Sequence, residues 1–193
     1  MKRKEFIKAS SLTLSGIVFA PMISCLPEPR KQVPQGPAVE RRNWGRNIVF
    51  KAKNLLQPDS VEELQEIMKQ AGYMKGLGST HSYNDIADSP NNQISLSKLN
   101  RVITIDEGNN TVTIEGGIKY EELAPKLYEK GKALHNLASL PQVTVAGACA
   151  TGTHVSGTGN GNLANIVREM EFCTLDGELI TISRDNNPDI FDG

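Results

Sequence analysis

Residues 76–84 read Gly76-Leu77-Gly78-Ser79-Thr80-His81-Ser82-Tyr83-Asn84, and the rest of the chain is organised around this stretch. Two glycines one residue apart allow backbone conformations that a side chain would forbid, so the chain can turn sharply here. A short turn whose N–H groups converge is suited to binding phosphate oxygens. Taken alone, the stretch is equally compatible with an ordinary surface turn, so the choice depends on a second feature of the sequence.

That second feature is a segment of small residues and glycines running from Leu134 to Gly161, which contains no Asp, Glu, Lys or Arg. A long segment of this kind inside a domain is usually functional or disordered, and its interleaved apolar residues favour burial. Each stretch carries a histidine, His81 in the first and His154 in the second. We therefore expect both to line one elongated, phosphate-bearing ligand, and we expect residues 134–161 to lack regular secondary structure.

The common nucleotide-binding motifs are absent from the sequence. A P-loop requires Gly-Lys followed by Ser or Thr, which does not occur. The dinucleotide fingerprint requires G-x-G-x-x-G, but the position of the third glycine after Gly76 and Gly78 is occupied by His81. The glycines of residues 157–161 lack a following helix start and an acidic residue at the required distance. A Rossmann-type cofactor site is therefore disfavoured.

Charge and cysteine content exclude further classes. The 193 residues carry 21 basic and 22 acidic side chains, which argues against nucleic acid as a partner because such proteins usually present a basic surface. No Cys-x-x-Cys or His/Cys ligand spacing occurs, so we expect no structural metal site. Cys149 and Cys173 are expected to be small buried apolar residues.

The first 25 residues have the composition of an export signal. A basic start, Met1–Lys8, precedes an apolar run, Ala9–Ile23, that is too short to span a bilayer as a helix. The pair Arg3-Lys4 resembles a twin-arginine export signal with lysine in the second basic place. We therefore expect residues 1–25 to direct export of a bacterial protein.

The residues around Cys25 leave two mature forms open. Met22-Ile23-Ser24-Cys25 resembles a lipoprotein cleavage site, after which Cys25 would be lipidated and would anchor the protein to a membrane. Ordinary cleavage nearby is the alternative, and the protein would then be periplasmic. Residues 26–40 are rich in proline and charge, which predicts an extended linker. The folded domain is expected to occupy residues 41–193.

The sequence from residue 41 onward predicts an α+β domain. Ser60 and Glu63 are spaced as a capping box ahead of apolar residues at helical spacing, which predicts a helix over 61–69. Asp176-Gly177 between two β-rich runs predicts a hairpin. The other predicted elements are strands at 48–51, 73–77 and 93–96, a hairpin of 101–105 with 111–115, a helix over 120–130, and hairpin strands at 167–174 and 178–183.

Three blocks in order carry a family resemblance: Gly76–Asp88, Ala138–Gly147 and Ala150–Gly157. Together they are similar to the vanillyl-alcohol-oxidase-type (PCMH-type) FAD-binding domain, and within it to the alditol and xylitol oxidases and the related aldonolactone oxidases. The resemblance runs from about Asn43 to the end of the chain. It implies an α+β fold of two α/β subdomains with FAD between them, here incomplete at its C-terminus and without the cap domain.

The resemblance also implies roles for individual residues. His81 matches the histidine that members of this family bond covalently to the 8α-methyl carbon of the flavin, and Asp85 is our candidate for orienting its ring. Ser139 would contact the substrate as well as the flavin. The residues that the resemblance assigns to cofactor binding are Gly76, Leu77, Gly78, Ser79, Thr80, His81, Ser82, Ser139, Thr144, Gly147, Thr151, Gly152, Thr153 and His154.

The implied activity is oxidation of a CH–OH group of an alditol, related polyol or aldonolactone by hydride transfer to flavin. Dioxygen would be the electron acceptor, giving hydrogen peroxide, although another acceptor stays open. The family's substrate-orienting groups lie mostly in the cap domain, so no catalytic base is assigned and the chain alone is expected to be inactive. Two alternatives remain: a non-catalytic surface lipoprotein that kept this fold, and another FAD enzyme of the same fold, such as a lactate-type dehydrogenase.

Overall fold

The structure, a computed structural model, describes residues 40–191. The predicted export signal at 1–25 and the predicted linker at 26–40, apart from Glu40, lie outside this range and stay predictions. Between residues 40 and 191, no helix has the length and apolar character needed to cross a membrane. The elements are β1 (Asn54–Leu56), α1 (Val61–Gln70), β2 (Met74–Gly76), β3 (Asn92–Ile94), β4 (Val102–Asp106), β5 (Thr111–Ile114), α2 (Tyr120–Tyr128), α3 (Val145–Ala150), a 3₁₀ turn (Leu163–Ile166), β6 (Glu169–Cys173), β7 (Leu179–Ser183) and α4 (Pro188–Phe191).

The first three strands form a small parallel sheet covered by one helix. β3 lies in the middle, so the order across the sheet is β1-β3-β2. The connecting helix α1 begins where Ser60 Oγ accepts the Glu63 N–H, and its apolar face packs against buried Leu56 and Ile94. The loop after β2 therefore leaves the sheet at the carboxyl ends of its strands, the edge at which open α/β sheets bind ligands.

A second hydrophobic cluster joins the β4–β5 hairpin to α2. Ile118, Leu123 and Leu127 are buried there, and apolar side chains of both strands pack against them. The hairpin and the helix lie where the sequence predicts them, with the helix ending at Tyr128. In a third cluster, α3 and the 3₁₀ turn pack on α2. Ala148 of α3 and Leu163 of the turn are buried there beside Tyr120 of α2.

The prediction that residues 134–161 lack regular structure is wrong for α3. This helix begins after Thr144, whose backbone is extended (φ −71°, ψ 146°), and it runs for 6 residues. A helix of less than two turns is too short to show the 3.6-residue periodicity on which helix prediction depends. Packing stabilises it instead, because Ala148 is buried against the neighbouring elements.

The predicted strand at 48–51 is also wrong. In this region only Val49 pairs, through an isolated bridge to Arg42, and the first strand of the sheet starts at Asn54. The backbone N–H groups of Lys51 and Ala52 donate to the carboxylate of Asp88. A side chain from a distant loop therefore takes the donors that a strand would have used.

The C-terminal hairpin of β6 and β7 confirms the hairpin predicted at Asp176-Gly177. Its strands pair in register from Glu169 with Ser183 to Cys173 with Leu179, and Gly177 adopts the positive φ of 76° that the turn requires. The turn rests on α1, where Gln65 Nε2 donates to the Gly177 carbonyl at 2.7 Å.

Candidate functional site

Residues 76–82, which we call the glycine loop, begin at the last residue of β2 and lead away from the sheet. Leu77 is buried and anchors the loop, because its N–H donates to the Ile94 carbonyl at 2.7 Å. Within the part of the chain that the structure describes, the N–H groups of the next five residues, 78–82, donate to no protein acceptor. Thr80 adopts a positive φ of 64°, which turns the backbone sharply. The loop thus offers a consecutive set of hydrogen-bond donors.

The glycine loop meets the start of α3. A β-carbon on Gly78 would lie 3.6 Å from the Cα of Gly147 and 2.9 Å from the hydroxyl oxygen of Thr144. Ser79 adds a polar contact, because its hydroxyl accepts the Thr144 N–H at 3.4 Å although the two residues are 65 positions apart. Two stretches that are distant in sequence therefore form one continuous surface.

Gly116 contacts α3, and its neighbour Gly117 lies against the Leu96 carbonyl; neither contact was predicted from the sequence. The Ala146 N–H donates to the Gly116 carbonyl at 3.2 Å, and a β-carbon on Gly116 would lie 3.2 Å from the Ala146 side chain. At Gly117 a β-carbon would collide with the Leu96 carbonyl. The adjacent glycines after β5 were the available signal, since such a pair often marks a close approach between backbones.

His81, at the end of the glycine loop, lies between an aromatic ring and a hydroxyl. Its ring stacks on that of Trp44, with centroids 5.1 Å apart and planes 22° from parallel. Ser79 Oγ lies 3.3 Å from its Nδ1. Asp85, predicted to orient this ring, is exposed, and the structure gives that contact to Ser79.

A buried polar network fixes the segment that carries Trp44. The Trp44 N–H donates to the Thr80 carbonyl at 2.9 Å. Next to it, buried Asn43 donates from Nδ2 to the Ser82 carbonyl and accepts the Ile48 N–H. Asp88, also buried, accepts backbone N–H groups of the same segment. Buried polar groups with every partner present hold neighbouring segments in one arrangement.

The other predicted cofactor-binding residues fall into two groups. Thr151 and Thr153 follow α3 directly, and the Thr151 hydroxyl donates to the Gly147 carbonyl at 3.0 Å. Gly152 between them has a positive φ of 61° and open space beside its Cα. Ser139 and His154 are exposed and form no hydrogen bond with another residue in 40–191. The structure therefore places the first group directly after α3, the helix that meets the glycine loop at Gly147. Within residues 40–191 it gives Ser139 and His154 no comparable hydrogen bond.

Between residues 40 and 191, the cysteines and other titratable groups give no sign of a second reactive centre. Burial raises the pKa of the Cys149 thiol, and burial together with the nearby thiol raises the pKa of the Tyr120 hydroxyl. Burial also raises the pKa of Cys173. Over residues 40–191 no cluster of His, Cys, Asp and Glu is arranged to hold a metal ion. A shallow hollow beside α2, lined by residues that include Arg101 and Lys126, contains none of the predicted site residues.

Comparison with known proteins identifies the family. The sequence model of a family described as FAD binding domain matches residues 52–183. The chain belongs to the FAD binding domain family. This confirms the predicted resemblance and the α+β FAD-binding fold. The match covers β1 through β7, so both sides of the surface formed by the glycine loop and α3 lie inside the family domain.

This FAD-binding domain is similar in sequence to two curated relatives and in fold to one solved structure. It is 41% identical to the alditol oxidase of Streptomyces sp. (strain IKD472 / FERM P-14339), over 73% of this chain and 35% of that protein. It is 34% identical to the L-gulonolactone oxidase of Mus musculus, over 79% of this chain and 36% of that protein. The chain thus spans about a third of the length of these curated relatives.

The solved structure of a xylooligosaccharide oxidase from Myceliophthora thermophila C1, in complex with xylobiose, shares the fold. It superposes with a TM-score of 0.65 over 78% of this chain and 33% of that one, at 21% identity. At this identity the similarity shows the fold alone.

The residues of the FAD-binding domain fit the pyrophosphate of the cofactor. Pyrophosphate oxygens accept hydrogen bonds, and the five N–H groups of residues 78–82 have no other acceptor in the described part of the chain. No acidic side chain lies within 76–82 or 134–161 to repel an anion. Gly76 and Gly152 both leave open space where a β-carbon would stand, so a ligand can approach the backbone there.

Proposed function

We propose that this chain is the FAD-binding part of an oxidoreductase that oxidises a CH–OH group of an alditol, a related polyol or an aldonolactone. The observation that carries the proposal is the row of N–H donors at 78–82, which includes that of His81 and has no acceptor within residues 40–191. Gly78 in this row lies against Gly147 of α3. The substrate class is supported by the names of two relatives, an alditol oxidase and an L-gulonolactone oxidase.

The chain's own residues have distinct tasks in this proposal. The N–H groups of 78–82 hold the pyrophosphate, and Gly147 allows α3 to approach it. Thr151 and Thr153 extend the polar surface beyond α3, while Ser139 contacts the flavin and the substrate. Bound FAD supplies a two-electron acceptor for the hydride that leaves the substrate carbon, and the protein positions and tunes it. Electrons pass finally to dioxygen, giving hydrogen peroxide.

We propose further that His81 holds the flavin covalently. The link would join an imidazole nitrogen to the 8α carbon, with loss of the imidazole N–H proton and of one C–H hydrogen of the methyl group. Two electrons and two protons are removed in all and pass to dioxygen as hydrogen peroxide. The position of His81 supports this role, because the residue lies within the donor row and its Nδ1 lies 3.3 Å from Ser79 Oγ.

Acid precipitation of protein expressed from the complete reading frame tests the linkage. We expect a yellow pellet from the wild type and a colourless pellet from His81→Asn, with flavin released to the supernatant. His135→Asn is the matched control, because His135 is exposed and lies outside the glycine loop. Release of all flavin from the wild type would refute the covalent link and leave non-covalent binding intact.

A substrate screen tests the activity. Polyols and aldonolactones are supplied to the flavin-loaded protein, and peroxide is measured alongside bleaching of the flavin absorbance. We expect bleaching followed by peroxide with at least one polyol or lactone. Bleaching without peroxide would assign a different electron acceptor. A protein that binds no flavin would support the non-catalytic alternative.

Localisation is a separate proposal that depends on residues 1–25. The basic start and apolar run support export, and the sequence around Cys25 supports lipidation. Mass spectrometry of the mature N-terminus distinguishes a diacylglyceryl cysteine at Cys25 from ordinary cleavage. Finding an intact N-terminus that begins at residue 1 would exclude both forms.

A further inference from the structure

Trp44 is the feature near the site that the proposed function does not use. Its ring is stacked on His81 at a centroid distance of 5.1 Å, within the range in which aromatic rings attract each other. The residue is 54% exposed, whereas tryptophan is highly buried on average. Its position is therefore poorly explained by burial in a core.

We propose that Trp44 is a positioning residue that holds the imidazole ring of His81 in one orientation toward the cofactor. The proposal rests on the proposed function, in which His81 binds the flavin. In a near-parallel stack the indole covers one face of the imidazole. The ring edge, which carries both nitrogen atoms, stays uncovered by the indole and available for the cofactor.

The imidazole needs such a support because its other contacts are weak constraints. The distance between His81 Nδ1 and Ser79 Oγ is 3.3 Å, longer than a typical hydrogen bond. The residue before it, Thr80, has a positive φ of 64°, which is uncommon for a β-branched residue. A single long hydrogen bond leaves the ring free to rotate, and a stacked ring restricts that rotation.

Trp44 can provide this support because residues 43 and 44 are hydrogen-bonded to the residues on either side of His81. Its N–H donates to the carbonyl of Thr80 at 2.9 Å, the residue that precedes His81. Asn43 donates to the carbonyl of Ser82 at 2.9 Å, the residue that follows it. Tyr83 completes the cluster from the edge of the indole, with centroids 6.4 Å apart and planes at 87°.

The first experiment measures the stack itself in flavin-free protein. The complete reading frame is expressed in a riboflavin auxotroph with ¹³C-histidine, and the His81 resonance is assigned by its loss in His81→Asn. An indole face shifts the protons above it upfield, so Trp44→Leu should move the His81 ring protons downfield. Trp44→Phe should keep part of the shift. Tyr83→Leu is the matched control, because Tyr83 is also exposed and contacts the edge of Trp44.

The second experiment measures the consequence for flavin binding. FAD is added to each flavin-free variant, and the acid-stable flavin is followed over time. We expect Trp44→Leu to incorporate flavin about tenfold more slowly, as expected for a misplaced reacting group, and Trp44→Phe to restore most of the rate. Urea unfolding of both variants checks that the fold is retained.

Each other outcome has a defined meaning. Unchanged His81 resonances in Trp44→Leu, or a lost shift with an unchanged incorporation rate, would overturn the proposal. If the wild type binds FAD only reversibly, the covalent link fails, and the variants are compared by their Kd for FAD. A several-fold weaker Kd in Trp44→Leu that Trp44→Phe restores supports positioning, and equal values overturn it. A wild type that binds no FAD overturns both proposals.

Discussion

Gly78 and Gly147 face each other where the two glycine-rich stretches meet. A β-carbon on Gly78 would lie 3.6 Å from the Cα of Gly147, and a β-carbon on Gly147 would lie 3.7 Å from the Cα of Gly78. The hydroxyl oxygen of Thr144 fills the remaining space, at 2.9 and 2.7 Å from those two positions. A side chain at either glycine would therefore overlap the Thr144 hydroxyl, and the local structure would have to shift to relieve the overlap.

The first prediction concerns Gly147→Ala. The added methyl group overlaps the Thr144 hydroxyl, so the free energy of unfolding should fall by about 1–3 kcal/mol. Thr144→Ala removes the overlapping oxygen, and the double variant should recover part of the loss. Urea unfolding of the two single variants and the double variant forms a double-mutant cycle.

Gly72→Ala is the control for this cycle, because nothing lies within 4 Å of a β-carbon there. Its unfolding free energy should stay within about 0.5 kcal/mol of the wild type. Additive effects of Gly147→Ala and Thr144→Ala would show that the two residues do not compete for space.

The second prediction concerns Asp88, whose buried carboxylate accepts the N–H groups of Lys51, Ala52 and Ser89. Asp88→Asn replaces one acceptor oxygen by an NH₂ group that cannot accept from these donors. We expect a loss of about 1–3 kcal/mol in the free energy of unfolding. Asp85→Asn, at an exposed position, should change it little. Equal stability of the two variants would contradict the role assigned to Asp88.

The third prediction concerns pH. The hydrogen bonds from Arg101 to the Glu115 carboxylate lower the pKa of that buried carboxyl group. Since the pKa is lower in the folded state, the unfolded state binds more protons when the pH falls. This contribution to stability is present above the unfolded pKa of about 4.3 and is lost as the pH falls through the folded value.

Urea unfolding at a series of pH values from neutral to acid measures this contribution. Glu115→Gln should be less stable than the wild type at neutral pH and should lose less stability on acidification. Glu107→Gln, at an exposed turn position, should follow the wild-type curve. An acid limb in Glu115→Gln as steep as that of the wild type would count against the Arg101–Glu115 contribution.

The fourth prediction tests the second hydrophobic cluster. Leu123 is 1% exposed and packs with Ile118 and Leu127, so Leu123→Ala should lower the free energy of unfolding by about 2–5 kcal/mol. Ile103 lies on β4 and is 57% exposed, so Ile103→Ala should have a much smaller effect. Denaturant unfolding measures both, and similar losses would indicate that α2 does not form the core of this region.

Features with local causes were predictable. The capping pair Ser60 and Glu63 starts α1, and Asp176-Gly177 forms its hairpin turn, because each depends on neighbours a few residues away. The glycine loop and the family resemblance could also be recognised from the sequence, since both are contained in short continuous blocks. Even the excluded nucleotide motifs could be judged from spacing alone.

Features that depend on contacts between distant parts of the chain could not be predicted from the sequence. The strand expected at 48–51 does not form, because the Lys51 and Ala52 N–H groups donate to the carboxylate of Asp88. Helix α3 is stabilised by packing against α2, and its sequence is too short to show a helical periodicity. Asp85 was a reasonable partner for His81 by proximity in sequence, but Ser79 and Trp44 make the contacts.

The residue types in the two glycine-rich stretches were enough to indicate an elongated, phosphate-bearing ligand, because backbone access and hydrogen-bond donors depend on local composition. The family resemblance of three sequence blocks then implied that this ligand is FAD. Which side chain faces His81, and how closely Gly78 approaches Gly147, depended on chain segments far apart in sequence being brought together. Such contacts form only when buried groups such as Asn43 and Asp88 find their partners, and no local pattern specifies where those partners lie.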